Sequence, residues 1–169
     1  MKVQILGVDP GSRVTGFGLI EADGDRLRHL RHGVILLDDK ADFATRLAQL
    51  ARAFREILAG HQAAHLALEK IFLGKNADSA FKLGHARGVL MSEAAQAGMR
   101  IHEYAARQVK KGVTGNGGAS KEETQIVVQN LLGIHGIQRL DASDALALAC
   151  HHAFEFRKAA ILRTAVEFR

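Results

Sequence analysis

The sequence contains very little cysteine and few aromatic residues, with one Cys, no Trp and an aromatic fraction of 5%. The single Cys150 excludes an internal disulfide framework and is typical of a small core residue in a reducing compartment. No apolar run approaches the roughly 18 residues needed to cross a bilayer, and no signal-peptide pattern opens the chain. We therefore expect a cytoplasmic protein without a membrane partner. The scarcity of aromatic residues argues against a large base-stacking platform.

Length and charge indicate a single basic domain. The chain has 169 residues, of which 47% are hydrophobic, and its formal net charge is +5. This length is enough for one domain with a proper core, and the composition is that of an ordinary globular protein. The excess of positive charge makes an anionic partner plausible, with nucleic acid as the first choice.

Hydrophobic patterning predicts three strands followed by alternating helices and strands. Short apolar runs joined by turns predict an antiparallel meander over 3–8, 14–22 and 26–37. The later segments are predicted as follows: a helix over 41–59, a strand over 64–70, a helix over 76–98, a strand over 99–105, a helix opened by a Ser120–Glu123 capping box, and a helix starting near 141. The expected fold is α/β, a mixed five-stranded sheet with helices on both faces.

Three other segments receive weaker interpretations. The glycine-rich "KKGVTGNGGAS" at 110–120 is expected to be a long loop with a functional role or high mobility. The adjacent His151 and His152 point to different helix faces and are interpreted as incidental, since the nine histidines match no CxxC-type or HExxH pattern. The tail beyond 155 is predicted to be either a basic amphipathic helix or a partly ordered extension.

Four acidic residues lie at the ends of predicted strands or near the start of a predicted helix, where a structural role alone explains them poorly. Asp9 and Glu69 each close an apolar strand, although a turn residue and an exposed strand end are the simpler readings. Asp141 and Asp144 stand one turn apart at the start of an apolar helix, where they repel by roughly 3 kcal/mol. Asp141 as an N-cap and Asp144 as a first-turn acid are the structural alternatives.

Parallel pairing of the first and fourth strands would place these acids at one edge. The carboxyl ends of neighbouring strands are where sites gather in α/β sheets, and the last helix begins near that edge. Clustered carboxylates repel one another when they are ionised, so all of them can be charged at low cost only with cations between them. Oxygen ligands favour Mg²⁺ or Mn²⁺, and two such ions form the usual machinery for phosphodiester hydrolysis, one activating water and the other stabilising the leaving oxygen.

Four stretches in this order resemble one known family, the RuvC crossover junction endodeoxyribonucleases, which are Holliday-junction resolvases with an RNase H-like fold. The stretches are "ILGVDPGSRVTGFG", "LEKIFLGKNADSAFKLGHARG", "YAARQVKKGVTGNGGASK" and "LDASDALALACHH". The first is shared across RNase H-like folds, whereas the second and fourth together are highly specific. The resemblance implies an RNase H-like nuclease domain over 1–155 and a C-terminal extension over 156–169.

The resemblance also implies roles for individual residues. Asp9, Glu69, Asp141 and Asp144 match the family's catalytic, metal-binding acids, although some members carry histidine at the third position. Phe72 matches an aromatic residue that contacts unstacked bases, and Lys110 and Lys121 match functional lysines. The candidate DNA-binding residues are Phe72, Lys75, Lys82, Arg87, Lys110, Lys111 and Lys121. A core aromatic and a solvated basic face are the simpler alternatives.

The implied reaction is resolution of four-way DNA junctions in recombination and repair. A homodimer with two Mg²⁺ ions per active site, which Mn²⁺ may replace, introduces paired nicks of like polarity and leaves 5′-phosphate and 3′-hydroxyl ends. The implied partners are junction DNA, a second copy of the chain and a branch-migration helicase complex of the RuvA/RuvB type. A two-fold dimer presents two identical sites to such a substrate.

Three alternatives come from other functional classes. The stretch "GVDPGSRVTGFG" resembles a phosphate loop of actin-like and sugar-kinase ATPases, but those proteins need a second domain for which 169 residues leave no space. A junction-binding protein without catalysis is disfavoured because all four acids are present. Related RNase H-fold proteins acting on RNA lack "FLGKNADSAFKLGHARG".

Overall fold

The computed structural model describes residues 2–70 and 77–167, with side chains up to 164. Its elements, in chain order, are β1 (Lys2–Asp9), β2 (Val14–Asp23), β3 (Arg26–Leu36), α1 (Phe43–Ala59), β4 (His65–Glu69), α2 (Ala77–Gln96), β5 (Arg100–Tyr104), α3 (Ala106–Thr114), α4 (Lys121–Leu132) and α5 (Leu140–Glu167). The five strands form one sheet in the order β3-β2-β1-β4-β5.

The sheet confirms the predicted mixture of strand directions. β1 pairs antiparallel with β2, and β2 pairs antiparallel with β3. β1 pairs parallel with β4, with Val8 opposite Leu68, and β4 pairs parallel with β5. Because Asp9 and Glu69 each follow these last paired residues, the two acids end adjacent parallel strands at one edge of the sheet.

Helices cover both faces of the sheet and enclose two apolar cores. One face packs against α1 and α2 around Leu50, Phe54 and Leu90. The other packs against α3, α4 and α5, with Val128 and Leu146 among its fully buried residues. In the described part of the chain, no helix combines the length and the apolar character needed to span a membrane.

The prediction of a loop over 110–120 is wrong in its first half. Residues up to Thr114 belong to α3, and the connection to α4 runs only from Gly115 to Ser120. Val109 and Val113 lie one turn apart on α3 and are both buried. Gly112 faces α5 so closely that a Cβ there would collide with the His151 ring. Burial against α5 therefore overrides the poor helix propensity of this segment.

The tail continues a helix that begins far upstream. α5 runs without interruption from Leu140 to Glu167, so residues 156–167 are its last turns. This excludes an irregular extension over that range. The boundary between a nuclease domain over 1–155 and an extension over 156–169 stays a prediction.

Candidate active site

The end of β1 is held in place by a short loop. Thr15 is fully buried, and its hydroxyl donates to the Gly11 carbonyl at 3.2 Å and accepts from the Gly11 N–H at 3.3 Å. Across the same loop, the Arg46 guanidinium donates to the Ser12 carbonyl at 3.4 Å. These contacts fix the turn that follows Asp9, so the carboxylate stands on a rigid strand end.

Glycines in β1 and β2 allow α5 to approach the sheet at backbone distance. A Cβ at Gly7 would overlap the Ala145 carbonyl, and one at Gly16 would overlap the Asp141 carbonyl. Gly16 is also the strand partner of Asp9. The sequence interpretation missed these residues, although glycine inside a strand is a signal of close backbone approach. Their effect is to bring the start of α5 onto the end of β1.

The four acids lie together where β1, β4 and α5 meet, and the charges of the other three act on Asp9. Asp144 is mostly buried, with 18% of its side chain exposed, whereas Asp141 lies nearer the rim at 38%. α5 begins at Leu140, so the alternative of Asp141 as an N-cap is wrong, and Asp141 lies inside the first turn. Its carboxylate is 3.8 Å from the Arg139 Nε.

Electrostatics in the cluster show an excess of negative charge. Burial raises the pKa of Asp9 to about 7, and the carboxylates of Asp144, Glu69 and Asp141 add to the rise. Burial and the charge of Asp144 also raise the pKa of Glu69. Asp9 and Glu69 therefore hold protons more tightly than isolated carboxyl groups, which is expected for buried carboxyl groups beside like charges.

Two lysines face the cluster from α3 and α4. The predicted capping box is present: the Glu123 N–H donates to Ser120 Oγ at 3.0 Å, and the Ser120 N–H donates to Glu123 Oε2 at 2.7 Å. This cap places Lys121 at the first position of α4, where its ammonium donates to the Asp144 carboxylate. The bond to Asp144 raises the pKa of Lys121. The charges of Lys121 and Lys110 offset part of the rise in the pKa of Glu69.

A cleft of about 160 Å³ opens beside these groups. Glu69, Asp144, Lys110 and Lys121 supply its charged walls, and Leu148 is among its apolar residues. Carboxylates and ammonium groups thus share one concave surface. Such a surface suits a ligand that is polyanionic and that also brings divalent cations.

The other predicted DNA-binding residues are more dispersed. Lys82 forms an ion pair with Asp78 one turn earlier on α2, at 2.6 Å. Arg87 pairs with Glu103 and donates to the Glu69 carbonyl at 3.2 Å, so it braces the strand that carries Glu69. Lys111 is exposed in the last turn of α3. Phe72 and Lys75 lie outside the described residues.

Comparisons with known proteins agree on one family. The family model described as crossover junction endodeoxyribonuclease RuvC matches residues 5–152. A crossover junction endodeoxyribonuclease RuvC from Bdellovibrio bacteriovorus is 55% identical over 166 residues, which cover 98% of this chain and 99% of the relative. Another from Acidiphilium cryptum is 46% identical over 153 residues, covering 90% of this chain and 92% of that protein.

Solved structures share the fold over nearly the whole chain. RuvC of T. thermophilus in complex with a Holliday junction substrate superposes with a TM-score of 0.87 at 30% identity, covering 93% of this chain and 96% of that one. The yeast mitochondrial Holliday junction resolvase superposes with a TM-score of 0.71 at 10% identity, covering 99% and 86%. The second likeness supports the fold alone.

Proposed function

Because the chain belongs to the RuvC family of crossover junction endodeoxyribonucleases, we propose that it resolves four-way DNA junctions in recombination and repair by paired hydrolysis of phosphodiester bonds. The observation that carries the proposal is the convergence of the four acids where β1, β4 and α5 meet. Burial and the charges of the other three acids raise the pKa of Asp9 to about 7, which is a cost that a bound divalent cation would remove.

The donor set fits the family's metal. Asp9, Glu69, Asp141 and Asp144 would hold two Mg²⁺ ions, or Mn²⁺ in their place, since hard cations prefer carboxylate oxygens. When bound, such ions supply Lewis-acid activation of water and stabilisation of the leaving oxygen. Lys121 already neutralises part of this charge through its bond to Asp144.

The basic residues around the cleft serve the substrate. Lys110 and Lys121 lie where a scissile phosphate must approach four carboxylates, so their charges offset repulsion of the DNA backbone. The proposed DNA surface also includes Lys111, Lys82 and Arg87. Two further proposed DNA contacts, Phe72 and Lys75, lie outside the described residues. Base stacking by Phe72 would contribute about 1–3 kcal/mol.

A homodimer would present two such sites, and α2 carries a surface suited to a second copy. Phe81 is 67% exposed on α2. Gly84 and Gly88 follow on the same helix face, and a Cβ at either would meet no atom within 4 Å. An apolar ring beside small residues allows close approach of another helix. A helicase complex of the RuvA/RuvB type is the proposed further partner, and a cytoplasmic location is part of the same proposal.

A synthetic four-way junction tests the proposal. Purified protein with Mg²⁺ is expected to cut the junction at two symmetric positions on strands of like polarity, giving ends that ligase can seal. A linear duplex of the same sequence is the control and is expected to stay intact. Free cutting of the duplex, or no paired nicks in the junction, would exclude a resolvase.

A further inference from the structure

Three histidines from separate elements lie together on the α5 side of the sheet. His65 is on β4, His102 on β5 and His152 on α5, and one ring nitrogen of each lies within 4.8 Å of the other two. The His102 and His152 ring centroids are 4.2 Å apart. His151 and His152 are 3% and 2% exposed, and of the two His152 belongs to this cluster.

The cluster is held in its neutral form. Burial lowers the pKa of all three imidazoles, and the pKa of His152 falls to about 3. Neutral imidazole is the form that donates a lone pair to a metal ion. Near neutral pH, binding would therefore displace no protons from the three rings.

Hydrogen bonds orient one ring and leave another incomplete. His152 Nε2 lies 2.7 Å from His65 Nδ1, and its Nδ1 lies 2.6 Å from the Tyr104 hydroxyl. Tyr104 is thus the outer partner that fixes the His152 ring, as second partners do around metal-bound histidines. Among the described residues, the buried His102 Nε2 has no hydrogen-bond partner. Without a bound metal ion, that nitrogen stays buried and lacks a hydrogen-bond partner.

The three rings border a cavity of about 430 Å³ that opens between β5 and α5. Glu155 lines the same cavity. Arg100 and Arg163 also line it and are exposed, and the charge of Arg100 adds to the lowering of the pKa of His65 and His102. The cavity provides access for a small ion and for a water ligand.

We propose that His65, His102 and His152 form a second metal site that takes a borderline-soft transition ion of the zinc type. Nitrogen ligands select such ions and are poor ligands for Mg²⁺, so the site differs in chemistry from the carboxylate cluster. His65 precedes Glu69 by four residues on β4, about 13 Å at 3.3 Å per residue. The ion would tie β4, β5 and α5 together.

Binding requires a small rearrangement. Tetrahedral zinc with bonds of about 2.0–2.1 Å places its nitrogen ligands about 3.3 Å apart. His65 Nδ1 and His152 Nε2 must therefore separate from 2.7 Å. Each ring stays neutral in the metal-bound state: His152 carries its proton on Nδ1 and donates to Tyr104, and His65 carries its proton on Nε2. The His102 ring turns its unpartnered nitrogen toward the same point.

Calorimetry on the metal-free full chain tests the site, with Mg²⁺ in excess to fill the carboxylate cluster. We expect one Zn²⁺ per chain, with affinity reduced at least tenfold in His102→Phe. His29→Ala is the matched control, because His29 Nε2 and His32 Nδ1 lie 2.8 Å apart and form another imidazole pair. Loss of binding in His29→Ala, or unchanged binding in His102→Phe, would overturn the proposal.

Two further measurements keep the test independent of how His102→Phe folds. Co²⁺ added to the wild-type chain in excess Mg²⁺ is expected to give the intense visible absorption of a tetrahedral site, and a weak octahedral spectrum would contradict the proposal. Tyr104→Phe is expected to weaken Zn²⁺ binding about 10–100-fold by removing the outer partner of His152. Unchanged affinity in that variant would exclude the arrangement.

Discussion

At the scale of single residues, Asp9 carries the electrostatic cost of the candidate site. Its carboxylate ends a buried strand and faces three other acids, and its pKa is raised to about 7 by burial first and by their charges second. Its environment therefore favours either a proton or a metal ion beside it. The same residue at an exposed strand end would have neither requirement.

Asp9→Asn is expected to change how stability depends on pH. The folded pKa of Asp9 lies above the unfolded value of 3.8, so the folded state binds more protons between about pH 4 and pH 7, and stability falls as pH rises through that window. Each unit of pKa shift corresponds to about 1.4 kcal/mol.

The measurement is thermal unfolding in chelator at pH 5 and pH 8. Wild type is expected to lose more stability between these values than Asp9→Asn, and added Mg²⁺ is expected to restore wild type at pH 8. If the two proteins respond identically to pH in chelator, the carboxylate of Asp9 does not carry this cost.

Lys121→Ala is expected to weaken both junction binding and cutting. The ammonium contacts Asp144 and lines the cleft, so its loss removes a cation from the path of the phosphate. Binding is expected to lose about one unit of slope when the logarithm of affinity is plotted against the logarithm of salt.

Lys158→Ala provides the comparison for this variant. Lys158 is exposed on α5, fourteen residues beyond Asp144 and about 21 Å along the helix. We expect it to leave the cutting rate unchanged in gel assays at saturating DNA. Equal effects of the two variants would show that Lys121 acts only through net charge.

At the scale of elements, α5 connects the hydrophobic core to the candidate active site. Its small residues Ala142, Ala145 and Ala149 are buried, and glycines in β1 and β2 let it lie directly on the sheet. The helix therefore cannot shift without opening the core. This rigid contact fixes the position of Asp144 relative to Asp9.

Gly16→Ala is expected to destabilise the protein by about 1–3 kcal/mol, because its Cβ overlaps the Asp141 carbonyl and pushes α5 away from the sheet. Gly60→Ala is the control, since a Cβ there would meet its nearest atom at 3.8 Å. Urea unfolding midpoints measure both. Comparable stability of the two variants would contradict the close-approach explanation.

Hydrophobic periodicity in the sequence predicted most helices and strands, because the apolar residues of each one face a single layer of the fold. The stripe including Leu50, Phe54 and Ile57 became the buried face of α1, and the β1–β4 contact followed from two apolar runs joined by a helix. α3 was missed because its stability comes from Val109 and Val113 packing, whereas its own residues favour a loop. Tertiary contact decided that segment.

The two proposed sites differ in how far the sequence reveals them. The sequence revealed the acids because each lies at the end of a strand or at the start of a helix. The carboxyl ends of neighbouring parallel strands lie at the same edge of a sheet. His65, His102 and His152 sit inside elements, where nothing in the local pattern separates a ligand from a core residue. Only the packing of α5 across β4 and β5 shows that they meet.

At the scale of the whole molecule, the chain combines an acidic centre with a basic overall charge. The net charge of +5 draws a polyanion toward a cleft whose own groups repel it. Bound divalent cations and the cleft lysines would resolve that conflict locally. In the proposed function, the carboxylates at the meeting of β1, β4 and α5 cut DNA and do not merely shape the fold.

Glu69→Gln separates these two roles when it is assayed for binding and for cutting on one synthetic four-way junction with Mg²⁺. The amide keeps the size of the side chain and removes its charge, so the fold and the basic surface remain. We predict that gel-shift affinity for the junction stays within a few-fold of wild type while paired nicking disappears. Retained nicking, or loss of binding together with nicking, would contradict the account.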